Sequence, residues 1–417
     1  MSINLLHRLT RHRIDRISMT KIALVEQDLK SLLSHHYEYA KSLSRAATEA
    51  SISFLILGNI EAAASVCNNG VLPVLSHGRL SRRKRTRLGL LTKIDFLVNN
   101  YYCYIDLLRF LKRNGPCDCL FFPTASHYQL FAIWLLFLFH PKLARSAVVF
   151  FVQQCTIWPL TESRPILDKV AGILRLQLKL LAPMVRKRRI VLAVETPVAR
   201  EEYQQLTGLN FQLWGHPVQV QPSSISPDSQ RIVFASLGPA RFEKGSDILL
   251  QAIELCINEP LFDQVFFIVQ WPGDFDLPDG STQTIPKHLV SHGRVRWLTQ
   301  PLDHDTYINQ LVHCSAVILP YRPCAYYGRL SRVSIEAAAS GIPIIATRGT
   351  HAESVIGNHG AGVVMEDASA SSLIDAMATF IRERTLLVAA ARAAAAEVSH
   401  LNSPTTFLQT ILRTVGR

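Results

Sequence analysis

At 417 residues the chain exceeds what one compact domain usually holds, and two domains of about 200 residues are expected. A hydrophobic fraction of 48% and a charged fraction of 18% exclude a disordered chain and supply apolar material for two cores. The net charge of +12 is uneven: Lys+Arg against Asp+Glu is 29 against 14 in residues 1–222 (+15) and 15 against 18 in residues 223–417 (−3). Such a half carries either a solvated basic surface or an anionic partner, whether membrane, phosphate-bearing acceptor or nucleic acid.

In chain order, residues 1–18 are basic and amphipathic and lack the apolar core of a signal peptide, so they read as an extension ahead of the fold. A first domain is expected over 19–220. Its strands are KIALVE (21–26), SFLILG (53–58), CLFFP (119–123), AVVFFV (147–152) and RIVLAVE (189–195), with a helix from about Ser34 to Ala47. The run LFAIWLLFLF (130–139) is too short to span a bilayer, which takes about 18 apolar residues, and reads as a buried helix. Eight scattered cysteines complete no zinc site and suit a reducing cytoplasm. The cluster GRLSRRKRTRLGLL (78–91) lacks the interleaved aromatics of a base-stacking surface, which argues against nucleic acid as a partner.

The Pro-, Ser- and Gln-rich stretch 213–230 reads as a linker, and a second domain is expected over 221–400. Its strands are RIVFASLG (231–238), VFFIVQ (265–270), RVRWLT (294–299), SAVILP (315–320) and IPIIAT (342–347), with helices from about Ser246, His304 and Ser331. A helical tail, 401–417, is expected to pack back on the first domain. Buried strands alternating with helices predict two α/β, doubly wound parallel sheets facing across a cleft.

Two stretches carry chemistry. In SLGPARFEKGSDILLQA (236–252) a strand ends, a turn follows at Gly238, and Arg241 and Lys244 arrive just before a helix N-terminus. Cations and free N–H groups there suit a departing diphosphate, although a solvated loop would read the same way. In PYRPCAYYGRLSRVSIEAAASGIPIIAT (320–347) a helix beginning near Ser331 carries Glu336. Its carboxylate suits a ribose diol or, equally, an ion pair with Arg329 or Arg332. Asp303-His304-Asp305 and Asp274-Phe275-Asp276 have the spacing of a metal-binding DxD, but Asp303 opens a helix and reads as its N-cap.

Residues 231–364 resemble the donor domain of GT-B glycosyltransferase family 4, the group 1 glycosyltransferases. GPARFEKG, the strand with Gln270, VRWLTQPLDHDTYINQLVHCSAVILPY, the Glu336 helix and GIPIIATRGTHAESVI occur in the family's order. The first domain resembles it more faintly, over 21–46 and 192–208. The resemblance implies a GT-B fold and retaining transfer of a hexose-like unit from a UDP- or GDP-sugar, with no metal cofactor. The first domain would take a glycan or lipid-linked acceptor, in bacterial polysaccharide or glycolipid assembly. The setting would be cytoplasmic, peripheral on the anionic inner membrane face.

By the same resemblance, Lys244 and Arg241 neutralise the departing phosphate and Glu336 holds the ribose. Gly238, Arg329, Leu330 and Ser331 line the donor site, His127 is the cleft histidine, and Ser34 and His36 belong to the first loop on the acceptor side. Two departures stand out. Leu32, Leu33 and Ser34 occupy the place of a glycine pair, and Gly328 stands where the family's first glutamate would be, eight residues before Glu336. These departures leave room for a second reading, a non-catalytic glycosyltransferase-like scaffold.

Overall fold

The computed structural model describes residues 20–32, 35–78, 91–224, 230–359 and 361–415; the extension 1–18, Leu33, Ser34 and the basic cluster of 79–90 lie outside them. Two parallel sheets organise the chain. The first contains β1 (Lys21–Val25), β2 (Ser53–Asn59), β3 (Val71–Leu75), β4 (Cys117–Phe122), β5 (Ala144–Phe151), β8 (Ile190–Val194) and β9 (Gln212–Leu213) in the order β3-β2-β1-β4-β5-β8-β9. A small hairpin, β6 (Thr156–Ile157) with β7 (Ile166–Leu167), stands beside it. Helices α1 (His35–Glu49), α2 (Ala64–Asn68), α3 (Leu91–Asn114), α4 (Leu130–Phe139), α5 (Ala171–Arg186) and α6 (Pro197–Thr207) make the crossovers.

The second sheet contains β10 (Ile232–Ser236), β11 (Val265–Gln270), β14 (Val295–Leu298), β15 (Ala316–Leu319), β16 (Ile344–Thr347) and β17 (Gly362–Met365) in the order β14-β11-β10-β15-β16-β17. The short pair β12 (Phe275–Asp276) and β13 (Thr282–Gln283) lies outside it. Its helices are α7 (Ser246–Cys256), α8 (Lys287–Val290), α9 (His304–Val312), α10 (Pro323–Tyr326), α11 (Arg332–Ala339), α12 (His351–His359) and α13 (Ala370–Leu401), followed by α14 (Pro404–Val415). In both sheets the strand order reverses beside the first strand, between β1 and β4 and between β10 and β15. Crevices open there at the carboxyl ends of the strands.

The strands are apolar on both faces because helices cover both faces. Phe121 and Phe150 are fully buried in the first sheet, as is Phe234 in the second. Helix α4 buries Leu130, Ala132, Ile133, Leu136 and Phe137 and exposes Leu138 and Phe139 at its end. Among the described residues no helix is long and apolar enough to cross a membrane.

The chain passes between the domains twice, and one residue ties the two passages together. Asn402, after α13, receives the His216 N–H on its side-chain oxygen at 3.1 Å and the Val218 N–H on its carbonyl at 2.8 Å. Helix α14 then returns to the first domain. Phe407, Leu408 and Ile411 are buried there in one cluster with Tyr39, Phe121, Phe150 and Trp214. The Phe407 ring meets Phe121 and Phe150 at 5.7 Å and Trp214 at 5.4 Å.

A residue so placed is part of the first core. Phe407→Ala is expected to destabilise the first domain by about 3–5 kcal/mol, the range for large-to-small core substitutions. Denaturant unfolding followed by tryptophan fluorescence checks this. A shift of under about 1 kcal/mol would mean that the tail contributes no core.

Candidate active site

The second domain's phosphate loop follows β10. Gly238 has φ +99°, and a Cβ there would stand 2.5 Å from the Lys244 ammonium, so only glycine lets Lys244 lie against the backbone. The Gly238 N–H donates to Gln270 Oε1 at 2.6 Å, which fixes the turn to the end of β11. Residues Phe242–Lys244 form one 3₁₀ turn, and Gly245, at φ +63°, starts α7. A side chain on Gly245 would collide with the Pro320 carbonyl. The glycine therefore brings the loop flush against the end of β15, at the switch point of the sheet.

Arg322 staples these two loops. Its guanidinium donates to both Asp247 oxygens, at 2.8 and 2.7 Å, and to the Phe242 carbonyl, and it stacks over the Phe242 ring at 3.6 Å. Sequence reasoning did not single out Arg322, because its partners lie 75 and 80 residues away. Lys244 is thereby held beside Arg241 and Arg329. Burial first, and then the two arginines, lower its pKa to about 8. Arg241 is exposed and pairs with Glu243 at 3.5 Å. Two guanidinium groups beside one half-buried ammonium make a cluster of three cations, a charge arrangement suited to a polyanion.

Helix α11 supplies the opposite wall. Ser331 is its N-cap and accepts the Ser334 N–H at 3.3 Å; Leu330 packs against the apolar cluster behind it. Glu336 is 1% exposed, and both its oxygens are engaged. Arg332 Nε donates to Oε1 at 2.7 Å, and the Tyr307 hydroxyl donates to Oε2 at 2.6 Å. Of the two arginines considered from sequence, the partner is Arg332; the Arg329 guanidinium instead lies 5.3 Å over the Tyr326 ring. Burial and the Glu336 carboxylate raise the Tyr307 pKa, so the phenol stays a donor. A carboxylate offers about four lone-pair sites, so two more donors fit on Glu336 without displacing these two.

Lys244, Gly238, Gln270, Tyr307, Arg332 and Glu336 share one cavity of about 820 Å³, closed from the first domain by Leu32, Tyr37, Glu38, Arg45 and Asn69. The N-terminal half of α1 thus faces the site. His36, also on α1, stands 3.4 Å from Glu26 Oε2, which also accepts the Thr124 hydroxyl. His127 precedes α4. Its carbonyl accepts from Asn100 and Gln177 at 2.8 Å each, its ring packs against Tyr128, and it does not line the cavity. Ser34 lies outside the described residues. Asp303 caps α9, accepting the Thr306 N–H at 2.7 Å; Asp274 accepts from Trp271 and Asp276 from Thr282. Among the described residues no three His, Cys, Asp or Glu side chains group as metal ligands.

Residues 229–383 match the family described as glycosyl transferases group 1. No curated protein matches the chain. Among solved structures, sucrose-phosphate synthase from Thermosynechococcus elongatus superposes with a TM-score of 0.66 at 14% identity, over 94% of this chain and 98% of that one. HepE from Anabaena, solved with UDP, gives 0.64 at 16%, over 95% and 100%. WaaG, a glycosyltransferase involved in lipopolysaccharide biosynthesis, gives 0.57 at 14%, over 94% and 99%. At such identities the likeness establishes the fold, which is GT-B: two Rossmann-like domains across a cleft.

An anion bound beside Lys244 is expected to show a pH-dependent affinity. A bound diphosphate favours the charged ammonium and raises its pKa above the value of about 8 in the free protein. Affinity is therefore fully present below that value and lost as pH rises through it, by up to about tenfold per pH unit. Calorimetric titration with UDP between about pH 7 and pH 9 reads this; an affinity flat over that range would show that Lys244 does not meet the phosphate.

Proposed function

We propose that the protein is a nucleotide-sugar-dependent, retaining glycosyltransferase whose donor lies in the cleft between Lys244 and Glu336. The observation that carries this reading is the pairing of the half-buried Lys244 ammonium, with Arg241 and Arg329 beside it, and the buried Glu336 carboxylate, both of which line one cavity. A nucleoside diphosphate has that chemistry, with a doubly charged leaving group at one end and a ribose diol toward the other. The match of residues 229–383 to the group 1 glycosyl transferases and the UDP-bound neighbour HepE support it.

In this reading the bond between the sugar's anomeric carbon and the diphosphate oxygen breaks as the acceptor hydroxyl oxygen attacks that carbon, and the hydroxyl proton passes to the departing diphosphate. Lys244, Arg241 and Arg329 meet the charge that develops on the leaving group, so the step is proposed to run without a metal. Preorganised charges of this kind are often the largest catalytic contribution. Glu336, held in place by Arg332 and Tyr307, accepts the ribose hydroxyls. Retention, and a glycan or lipid-linked acceptor from bacterial polysaccharide or glycolipid assembly, rest on family resemblance and on the involvement of the structural neighbour WaaG in lipopolysaccharide biosynthesis. The acceptor is proposed to enter from the first domain, where α1 faces the cavity.

The test is substitution at Glu336 read with two ligands. Glu336→Gln should weaken UDP by roughly ten- to a hundredfold, because hydrogen bonds to charged groups contribute about 1.5–3 kcal/mol. It should also lower the melting temperature, since Arg332 loses its buried partner. The discriminating result is coupling: the loss should shrink for 2′,3′-dideoxyuridine diphosphate, whose hydroxyls are already gone. Equal weakening of both ligands would reject the ribose role. Sugar release from UDP- or GDP-sugars by the purified chain separates an enzyme from a non-catalytic scaffold.

Peripheral attachment to an anionic membrane belongs to the same proposal. Exposed Leu138 and Phe139 end α4 close to Lys142, Arg145 and Arg189, which line one groove together with Lys21. Each basic residue near an anionic surface contributes about 1 kcal/mol. Flotation with phosphatidylglycerol vesicles should show binding at low salt that is lost at high salt. No binding, or binding indifferent to salt, would overturn the attachment.

A further inference from the structure

The loop from Pro320 to Ser331 connects β15 to α11, and its inner side belongs to the polyanion site through Arg322 and Arg329. Its outer side is buried against the first domain. The Tyr327 hydroxyl lies 2.5 Å from Thr156 Oγ1, and the Thr156 hydroxyl donates in turn to Glu202 of α6. Trp158 meets the Tyr327 ring edge-on, at 5.5 Å and 79°. One residue further, the Gly328 carbonyl accepts the Thr196 hydroxyl at 2.7 Å, a contact spanning 132 residues of sequence.

Gly328 has no space for a side chain. A Cβ there would collide with Gln154 Nε2 and come within 2.8 Å of Val198 Cγ1. The Gln154 amide nitrogen is itself buried without a hydrogen-bond partner. Two first-domain segments therefore close on two consecutive loop residues: Gln154–Trp158, and helix α6 with its N-cap Thr196. This also accounts for the glycine at the position of the family's first glutamate, because the first domain fills the volume a larger side chain would need.

We propose that Tyr327 is a positioning residue: bound to Thr156 and backed by Glu202, it latches the phosphate-side loop to the first domain and so sets the closed cleft in which Arg329 stands beside Lys244. This rests on the reading of the cleft as a nucleotide-sugar site. Tyr327 does not line the cavity. Its effect is exerted through the loop and through the angle between the domains, so it bears on turnover, which needs both domains, more than on nucleotide binding, which the second domain provides.

The test uses the full-length protein and two readouts. Tyr327→Phe removes only the hydroxyl. Hydrogen exchange with UDP present should speed up in residues 153–158 of the first domain and in residues 323–331 of the second together. With the best sugar nucleotide, kcat should fall about tenfold, while the Kd for UDP stays within about twofold. A second set guards against a folding artefact: Gly328→Ala should open the same two segments, and adding Gln154→Ala with Val198→Ala, which empties the obstructed space, should restore protection and turnover. Faster exchange in 323–331 alone with weakened UDP binding would make Tyr327 a local loop residue and overturn the latch, as would unchanged exchange or failure of the Gln154→Ala, Val198→Ala pair to rescue. If the wild-type protein turns over no sugar nucleotide, the proposed function falls, and the exchange and rescue arms still decide the latch.

Discussion

The structure depends on one electrostatic constraint, the assembly of Lys244, Arg241 and Arg329 around a turn with little water. Like charges at close range repel, and burial adds to the cost of keeping Lys244 charged, which is why its pKa falls to about 8. Such a cluster persists only where the backbone leaves it no alternative. Gly238 and Gly245 remove the side chains that would hold the loop away from β15. The bidentate Arg322–Asp247 pair then closes the loop from outside. The stapling arginine directs its charge to Asp247 and the Phe242 carbonyl, and Lys244 is left to face the cavity. Folding energy from the staple and the β10–β15 seam maintains a site that is unfavourable by itself, as expected of a site shaped to meet an anion.

Glu336 follows the same logic with opposite sign. A carboxylate buried to this degree needs donors, and Arg332 and Tyr307 supply them whether or not a diol is present. The ion pair and the proposed ribose role, which stood as alternatives in the sequence, are therefore compatible: the first would orient the carboxylate for the second. The two charged features stand in one cavity because α7 and α11 both start at the carboxyl end of the second sheet, on strands β10 and β15 that are neighbours across its switch point.

Most of the fold was legible in the sequence, because buried parallel strands announce themselves as short apolar runs. β11 matches its run residue for residue, most other strands are trimmed by one or two residues at an end, and β2, β4 and β5 extend one to three residues beyond their runs. The strand β3 and helix α3 were not delineated. β3 carries Pro73 and exposes Leu72 and Pro73, as suits the edge of the sheet, and α3 mixes aromatic and Asn residues that weaken a helical signal. Within the site, Lys244, Gly238 and Glu336 were legible because each belongs to a local strand–turn–helix unit. Arg322, Tyr307 and the α1 wall of Tyr37, Glu38 and Arg45 were not, since their partners are distant in sequence and only the fold brings them together.

Gly328 shows how far a local motif can be carried before tertiary structure overrides it. Read along the chain, a glycine in place of an acidic residue is a missing contact and an argument for lost function. Read in three dimensions, the position is packed against Gln154 and Val198, and its carbonyl is tied to Thr196. A longer side chain there could be admitted only by displacing Gln154 and Val198. The departure from the family pattern and the domain interface are thus one feature. A chain that brings its domains together at this loop gives up the side chain at 328. Under the proposed function, recognition of the transferred sugar would then come from groups that remain at the seam, among them the exposed Arg329 and the backbone of the loop itself.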